Sequence, residues 1–186
     1  MDLPARAKAQ ERTLFLNPGS FLASALFLRK ALKGRPKEAS DYSGKKGITL
    51  GIEDHGGITQ GTEVCLEIMR RVDSPYAGIN LDITHFIPTP TADRYAQITS
   101  CIPYATNTHI RDHFDGGTPI NMDRAWRLFA EGGYKGFMSV ECQGKEDPMT
   151  GVPKLMNKVK ALCRKYSTTA EGPRSLQQCS RGTSVM

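Results

Sequence analysis

The chain has 186 residues, 39% of them hydrophobic and 24% charged, with a formal net charge of +6. That length fits one domain, and no segment reaches the roughly 20 apolar residues that a membrane-spanning helix needs. The basic total invites a nucleic-acid reading, but residues 1–46 hold 10 Lys/Arg and 4 Asp/Glu, residues 47–150 hold 8 and 14, and residues 151–186 hold 7 and 1. The central segment is therefore acidic, which suits a divalent cation and repels a polyphosphate backbone.

Residues 1–20 show no clear period and are expected to be irregular. The apolar stretch Leu14 to Leu28 is broken by Asn17-Pro18-Gly19 and has no clean small-residue cleavage site, so it does not read as a signal peptide. Phe21 to Leu32 fits an amphipathic helix, with Phe21, Ala25, Leu28 and Leu32 on one face. Gly34-Arg35-Pro36 stops it, and Lys37 to Lys46 is expected to be a charged connection. From Gly47 the pattern becomes regular. Strands are expected at Ile48–Ile52, Ala77–Leu81, Tyr104–Thr108 and Gly136–Val140. Helices are expected at Thr62–Val72, Asp93–Ser100 and Asn121–Glu131, the last capped by Gly132-Gly133. A final helix should open at Pro153 and run to about Tyr166. Ser167 to Met186 is polar and aperiodic, and is expected to be a disordered tail. The organisation expected is thus an N-terminal irregular segment and helix (1–46), an alternating βα unit (47–166) and a tail (167–186). Alternation of this kind implies an α/β fold with a parallel sheet and right-handed crossovers.

Each of the four strands runs into a residue able to hold a divalent metal: Glu53, Asp82, His109 and Glu141. They lie 29, 27 and 32 residues apart, close to the length of one βα repeat. Taken singly, each is an ordinary residue at a strand end. Four in register place one ligand at the end of each successive parallel strand, as in a (β/α) barrel active site. Three carboxylates and one imidazole suit Mn²⁺, Mg²⁺ or Co²⁺, with Zn²⁺ also accommodated. Crowded carboxylates repel one another, so the cluster implies its own cation.

All four histidines fall in or near these segments: His55, His85, His109 and His113. His85, three residues after Asp82, could reach a substrate oxygen. His55 and His113 sit in loops on the same presumed face, where each is equally an ordinary solvated histidine. Arg111 could bind a substrate oxygen or pair with a neighbouring carboxylate. The five cysteines are odd in number and none has CxxC spacing, which reads as reduced cytoplasmic thiols. Gly56-Gly57 and Gly116-Gly117 match no full phosphate-loop pattern.

At Gly47–Gly57 (GITLGIEDHGG), Leu81–Phe86 (LDITHF), His109–Asp112 (HIRD) and Gly133–Glu141 (GYKGFMSVE), the chain resembles the xylose isomerase-like TIM-barrel superfamily of sugar and sugar-phosphate isomerases and epimerases. The resemblance covers about Gly47 to Tyr166. It implies a partial TIM barrel, the strands corresponding to the fifth to eighth of the full fold. It also implies that Glu53, Asp82, His109 and Glu141 bind one divalent metal, often Mn²⁺. Glu53 and Glu141 would exchange protons beside a metal-polarised carbonyl, and the histidine matching His85 would contact substrate oxygens. The implied partner is a small-molecule sugar, with no nucleic acid or membrane. Three departures stand out: the first four strands are missing, Arg111 stands where lysine is common, and Asp115 stands where some epimerases carry a substrate-binding arginine. Two readings are open. One is an isomerase or epimerase completed by a second copy or by a missing N-terminal half-barrel. The other is a truncated, non-catalytic fragment of such a barrel, with or without metal binding. The multi-zinc DNA-repair endonucleases of the superfamily are disfavoured by the acidic centre.

Overall fold

The computed structural model describes residues 13–16, 35–142 and 146–167. Five strands and five α-helices alternate: β1 (Thr13–Leu16), α1 (Arg35–Gly44), β2 (Thr49–Glu53), α2 (Thr62–Val72), β3 (Ala77–Asp82), α3 (Arg94–Cys101), β4 (Ala105–Ile110), α4 (Met122–Glu131), β5 (Phe137–Val140) and α5 (Pro148–Ser167). The sheet is parallel throughout, in the order β1-β2-β3-β4-β5. Strands added in chain order by right-handed crossovers put every connecting helix on the same face. This is one arc of a (β/α) barrel, in which β1 and β5 are the outermost strands among the described residues.

Period-two alternation divides the side chains between two environments. Ile52, Ile79, Leu81 and Ile110 join Cys65, Ile68 and Met69 of α2, Ile98 of α3, and Trp126 and Phe129 of α4 in one buried apolar cluster, with Leu155 and Val159 of α5. The opposite face carries Glu53, Asn80, Asp82, Asn107, His109 and Ser139. There Asn107 Nδ2 donates to Asn80 Oδ1 at 3.1 Å and lies 3.3 Å from Ser139 Oγ. A register shift at Ile79/Asn80 matters for the site. Ile79 pairs with Ala105, but Asn80 pairs with Asn107 and Asp82 with His109. The extra residue in β4, Thr106, re-aims the rest of that strand, so that Asp82 and His109 become neighbours.

Caps explain several boundaries. Asp93 opens α3 by accepting the Ala96 N–H at 2.7 Å, and Asn121 opens α4 by accepting the Arg124 N–H at 3.0 Å. Gly133 (φ +68°) closes α4: its N–H reaches Ala130 O, and Tyr134 N–H reaches Phe129 O, the Schellman pattern.

The four expected strands are present, and three expectations need correction. Residues 13–16 form a strand within the stretch read as irregular, which extends the sheet into residues 1–46. The segment Lys37–Lys46 is largely helix α1, not a connection; only Ser40 of it is buried, so it shows almost no apolar period. Helix α5 opens at Pro148, not Pro153, because Asp147 caps it by accepting the Met149 N–H at 3.0 Å. Pro153 lies inside that helix, and Ser167 is its last residue rather than the first of the tail. The helix expected at Phe21–Leu32 and the tail beyond Ser167 lie outside the described residues. No helix among those described is long and apolar enough to cross a membrane.

Candidate metal centre

Strands β2, β3 and β4 bring Glu53, Asp82 and His109 together. One donor atom from each lies within 4.8 Å of the others. Glu53 closes β2 and is buried; its Oε1 is 3.0 Å from His109 Nδ1. Asp82 closes β3 and is fully buried. The hydrogen bond to Glu53 raises the His109 pKa against the lowering effect of its burial, and the charges of Glu53, Asp82 and Glu141 add to the rise. The donor set of two carboxylate oxygens and an imidazole nitrogen fits a hard or borderline dication, and such an ion would offset the cost of burying two like charges.

Glu141, the fourth expected ligand, follows β5. Its N–H donates to Ile110 O at 3.0 Å, but its side chain is 42% exposed and stands outside the group of three. Its nearest charged partner is Arg111, whose Nε is 3.4 Å from Glu141 Oε2.

Arg111 and His85 form the wall beside the triad. Arg111 Nη2 donates to Asp82 Oδ2 at 2.8 Å, and its Nη1 lies 3.5 Å from Asp115 Oδ1. His85 Nε2 is 3.1 Å from Asp82 Oδ2 and its Nδ1 is 2.6 Å from Asp115 Oδ2. Thr84 completes the shell, giving Asp82 Oδ1 its N–H at 2.9 Å and its hydroxyl at 2.5 Å. Burial pushes the Asp82 carboxyl up, but His85, Thr84 and Arg111 outweigh it and hold Asp82 well below the usual carboxylate range. Burial likewise lowers the His85 pKa, and Asp82 and Asp115 together more than reverse that.

The remaining candidates divide. His55 packs edge-on against His85, ring centroids 4.4 Å apart, so it lines the same wall. His113 is exposed and pairs with Asp112 at 2.7 Å; it hydrogen-bonds none of the four candidate ligands. Three residues of the site were not singled out as functional by sequence reasoning: Thr84, Asp115 and Asp54. Asp54 is fully buried under β3 and its Oδ1 accepts the Asp82 N–H at 2.7 Å. Burial, with the Asp82 charge, pushes its carboxyl well above the ordinary value. Adjacency to Glu53 was the one signal that could have pointed to it.

Comparison with known proteins agrees with this architecture. Residues 29–162 match the family model described as xylose isomerase-like TIM barrel. Among solved structures, the chain is similar to L-ribulose 3-epimerase, with 14% identity over 80% of this chain and 56% of that one, TM-score 0.59. It is similar to a xylose isomerase domain protein from Alicyclobacillus acidocaldarius, with 16% identity over 83% and 64%, TM-score 0.59. A third is a xylose isomerase-like TIM barrel protein from Mycobacterium smegmatis in complex with magnesium, with 21% identity over 71% and 49%, TM-score 0.56. At these identities the likeness speaks for the fold. The chain spans about half the length of the solved structures it matches. No curated protein matches it.

Proposed function

The chain belongs to the xylose isomerase-like TIM barrel family, and from that premise we propose that it serves a metal-dependent isomerase or epimerase of a small sugar or sugar phosphate. The observation that carries the reading is the convergence of Glu53, Asp82 and His109 from three adjacent strand ends. These three would hold a divalent ion, Mn²⁺ being our choice for a set of hard oxygens with one nitrogen. Glu141 would be the fourth ligand. When bound, the ion supplies Lewis-acid polarisation of a carbonyl and its neighbouring hydroxyl.

The chain's own residues then have distinct tasks. Glu53 and Glu141 approach from opposite ends of the ligand row, so each can take or return a proton at the carbon beside the carbonyl, one on each side. Glu53 is buried and oriented by His109, which fixes its direction. Glu141 is partly exposed and can exchange its proton with solvent. His85 and Arg111, which pair with Asp82 and Asp115 here, would turn N–H groups to substrate oxygens. His55 closes the wall behind His85, and His113 lies at the rim. The free thiols Cys65, Cys101, Cys142 and Cys163 fit a reducing, cytoplasmic setting.

A second reading has an observation of its own: among the described residues β1 and β5 each pair on one side alone, and the chain spans about half of its structural relatives. On that reading the chain is a non-catalytic piece of a barrel, with or without its ion. One experiment separates the two. Thermal unfolding is followed against added Mn²⁺ for the wild type and for Glu53→Ala, and ketose and aldose panels are incubated with the protein in D₂O. Stabilisation lost in the variant, together with deuterium appearing beside the substrate carbonyl, is expected for the enzyme. Stabilisation without deuterium uptake favours the fragment, or a scaffold needing a second copy or an N-terminal half-barrel. No stabilisation at all would sink the enzyme reading.

A further inference from the structure

Both oxygens of Asp82 already have partners. An ionised carboxylate offers about four lone-pair sites. Thr84 fills two on Oδ1 through its N–H and hydroxyl. Arg111 Nη2 donates to Oδ2 at 2.8 Å and also lies 3.0 Å from His85 Nε2, which is itself 3.1 Å from Oδ2. Arg111 also faces Glu141, with 3.4 Å between Nε and Oε2. One guanidinium, 6% exposed, therefore spans two of the four candidate ligands, and Glu141 stands apart from the other three.

We propose that Arg111 is a built-in competitor for the divalent ion: it holds Asp82 Oδ2 and Glu141 in the metal-free protein, and an ion gains both only by displacing it. This rests on the metal-centre reading above. Arginine is suited to the task because its charge is permanent and its planar fork can engage two carboxylates at once. A displaced guanidinium keeps a partner, since Asp115, which is not a candidate ligand, already lies 3.5 Å from Nη1. His85 keeps one too, through its 2.6 Å contact with Asp115. The arrangement trades affinity for a stable empty centre. Without Arg111, two carboxylates would lose their buried counter-charge, and an incoming ion would be the main compensation.

The test measures Mn²⁺ binding from the six-line electron paramagnetic resonance signal of the free ion, using the whole chain with Arg111→Met and Arg111→Lys. Methionine keeps the apolar bulk and removes the charge. Lysine keeps a point charge that engages one carboxylate at a time. The expected result is at least about tenfold tighter Mn²⁺ binding for Arg111→Met and a smaller gain for Arg111→Lys. The metal-free methionine variant should also melt below the wild type, and saturating Mn²⁺ should close that gap. Affinity unchanged or weakened in the variants, with the wild type binding Mn²⁺, overturns this inference alone. If Arg111→Met does not fold, Arg111→Lys decides by the same sign. If neither the wild type nor any variant binds Mn²⁺, the metal-centre reading fails and takes this inference with it.

Discussion

Replacing Asp82 by asparagine keeps the side-chain shape and removes one charge at the most heavily bonded position of the site. The asparagine oxygen can still accept from Thr84. Its amide nitrogen would then face Arg111 Nη2, which now stands 2.8 Å from Asp82 Oδ2, so donor meets donor, and His85 Nε2, 3.1 Å away, loses its carboxylate neighbour. The charge-assisted bond to Arg111 contributes about 1.5–3 kcal/mol and the His85 contact about 1 kcal/mol. Arg111 keeps its longer contacts to Asp115 and Glu141, so the loss should fall near 3 kcal/mol, the low end of the roughly 3–5 kcal/mol for breaking a buried pair. In a domain of this size that lowers Tm by about 6–12 °C. Urea unfolding of the metal-free protein should show a lower midpoint at unchanged slope. Asp115→Asn is the comparison: its side chain is 47% exposed, and its loss should cost under about 1 kcal/mol. Asp82→Asn within about 0.5 kcal/mol of the wild type would refute the reasoning, because it would mean that the cost of burying the charge cancels what the surrounding donors return.

Gly78→Ala should destabilise by about 1–3 kcal/mol, since a Cβ there would sit 2.2 Å from Thr106 Cγ2 and 2.8 Å from the Tyr104 carbonyl oxygen; a midpoint like the wild type's would show that β3 and β4 can separate freely. Gly133→Ala should cost about 1–2 kcal/mol through its left-handed backbone, read by thermal unfolding, with Gly61→Ala (open space, no positive φ) as the neutral control. Asp93→Ala should cost about 1 kcal/mol as a lost N-cap. The Ala96 N–H, with Arg124, holds the Asp93 carboxyl below its ordinary value. Its contribution is therefore present above that value and lost as pH falls through the lowered one, so the gap between wild type and variant should be full at pH 7 and shrink below about pH 3.9. A gap that persists unchanged in acid would contradict the capping role.

The parts of the fold legible in the sequence are those where burial imposes a period. Thr62–Val72 buries Cys65, Ile68, Met69 and Val72 along one stripe, and its limits are those expected. The four candidate residues at strand ends were legible because the βα repeat places one after each strand. Helix α1 was not, because it packs against β2 with Ser40 as its one buried residue. Strand β1 lay in a stretch without alternation, and backbone pairing with β2 assigns it. In the site, Glu53, Asp82 and His109 assemble as expected, while Glu141 stands with Arg111 instead. That difference depends on which way a long side chain turns, which spacing does not encode. Asp115 entered only as the residue standing where some epimerases carry an arginine; its place beside His85 comes from the fold of the 112–120 loop, where Asp115 N–H donates to Thr84 O at 3.0 Å and its carboxylate faces His85 Nδ1.

Strands β2, β3 and β4 are hydrogen-bonded on both sides, whereas β5 has a neighbour on one side alone among the described residues. Opening β5 breaks one ladder, while opening an interior strand breaks two, so amide exchange should be slowest along Ile52, Ile79–Leu81 and Thr108 and faster along Phe137–Val140. The candidate centre thus straddles two levels of local stability. Glu53, Asp82 and His109 ride on the slow-opening part, and Glu141 follows the strand that opens first. Brief excursions of β5 would move Glu141 while Glu53, Asp82 and His109 remain in place.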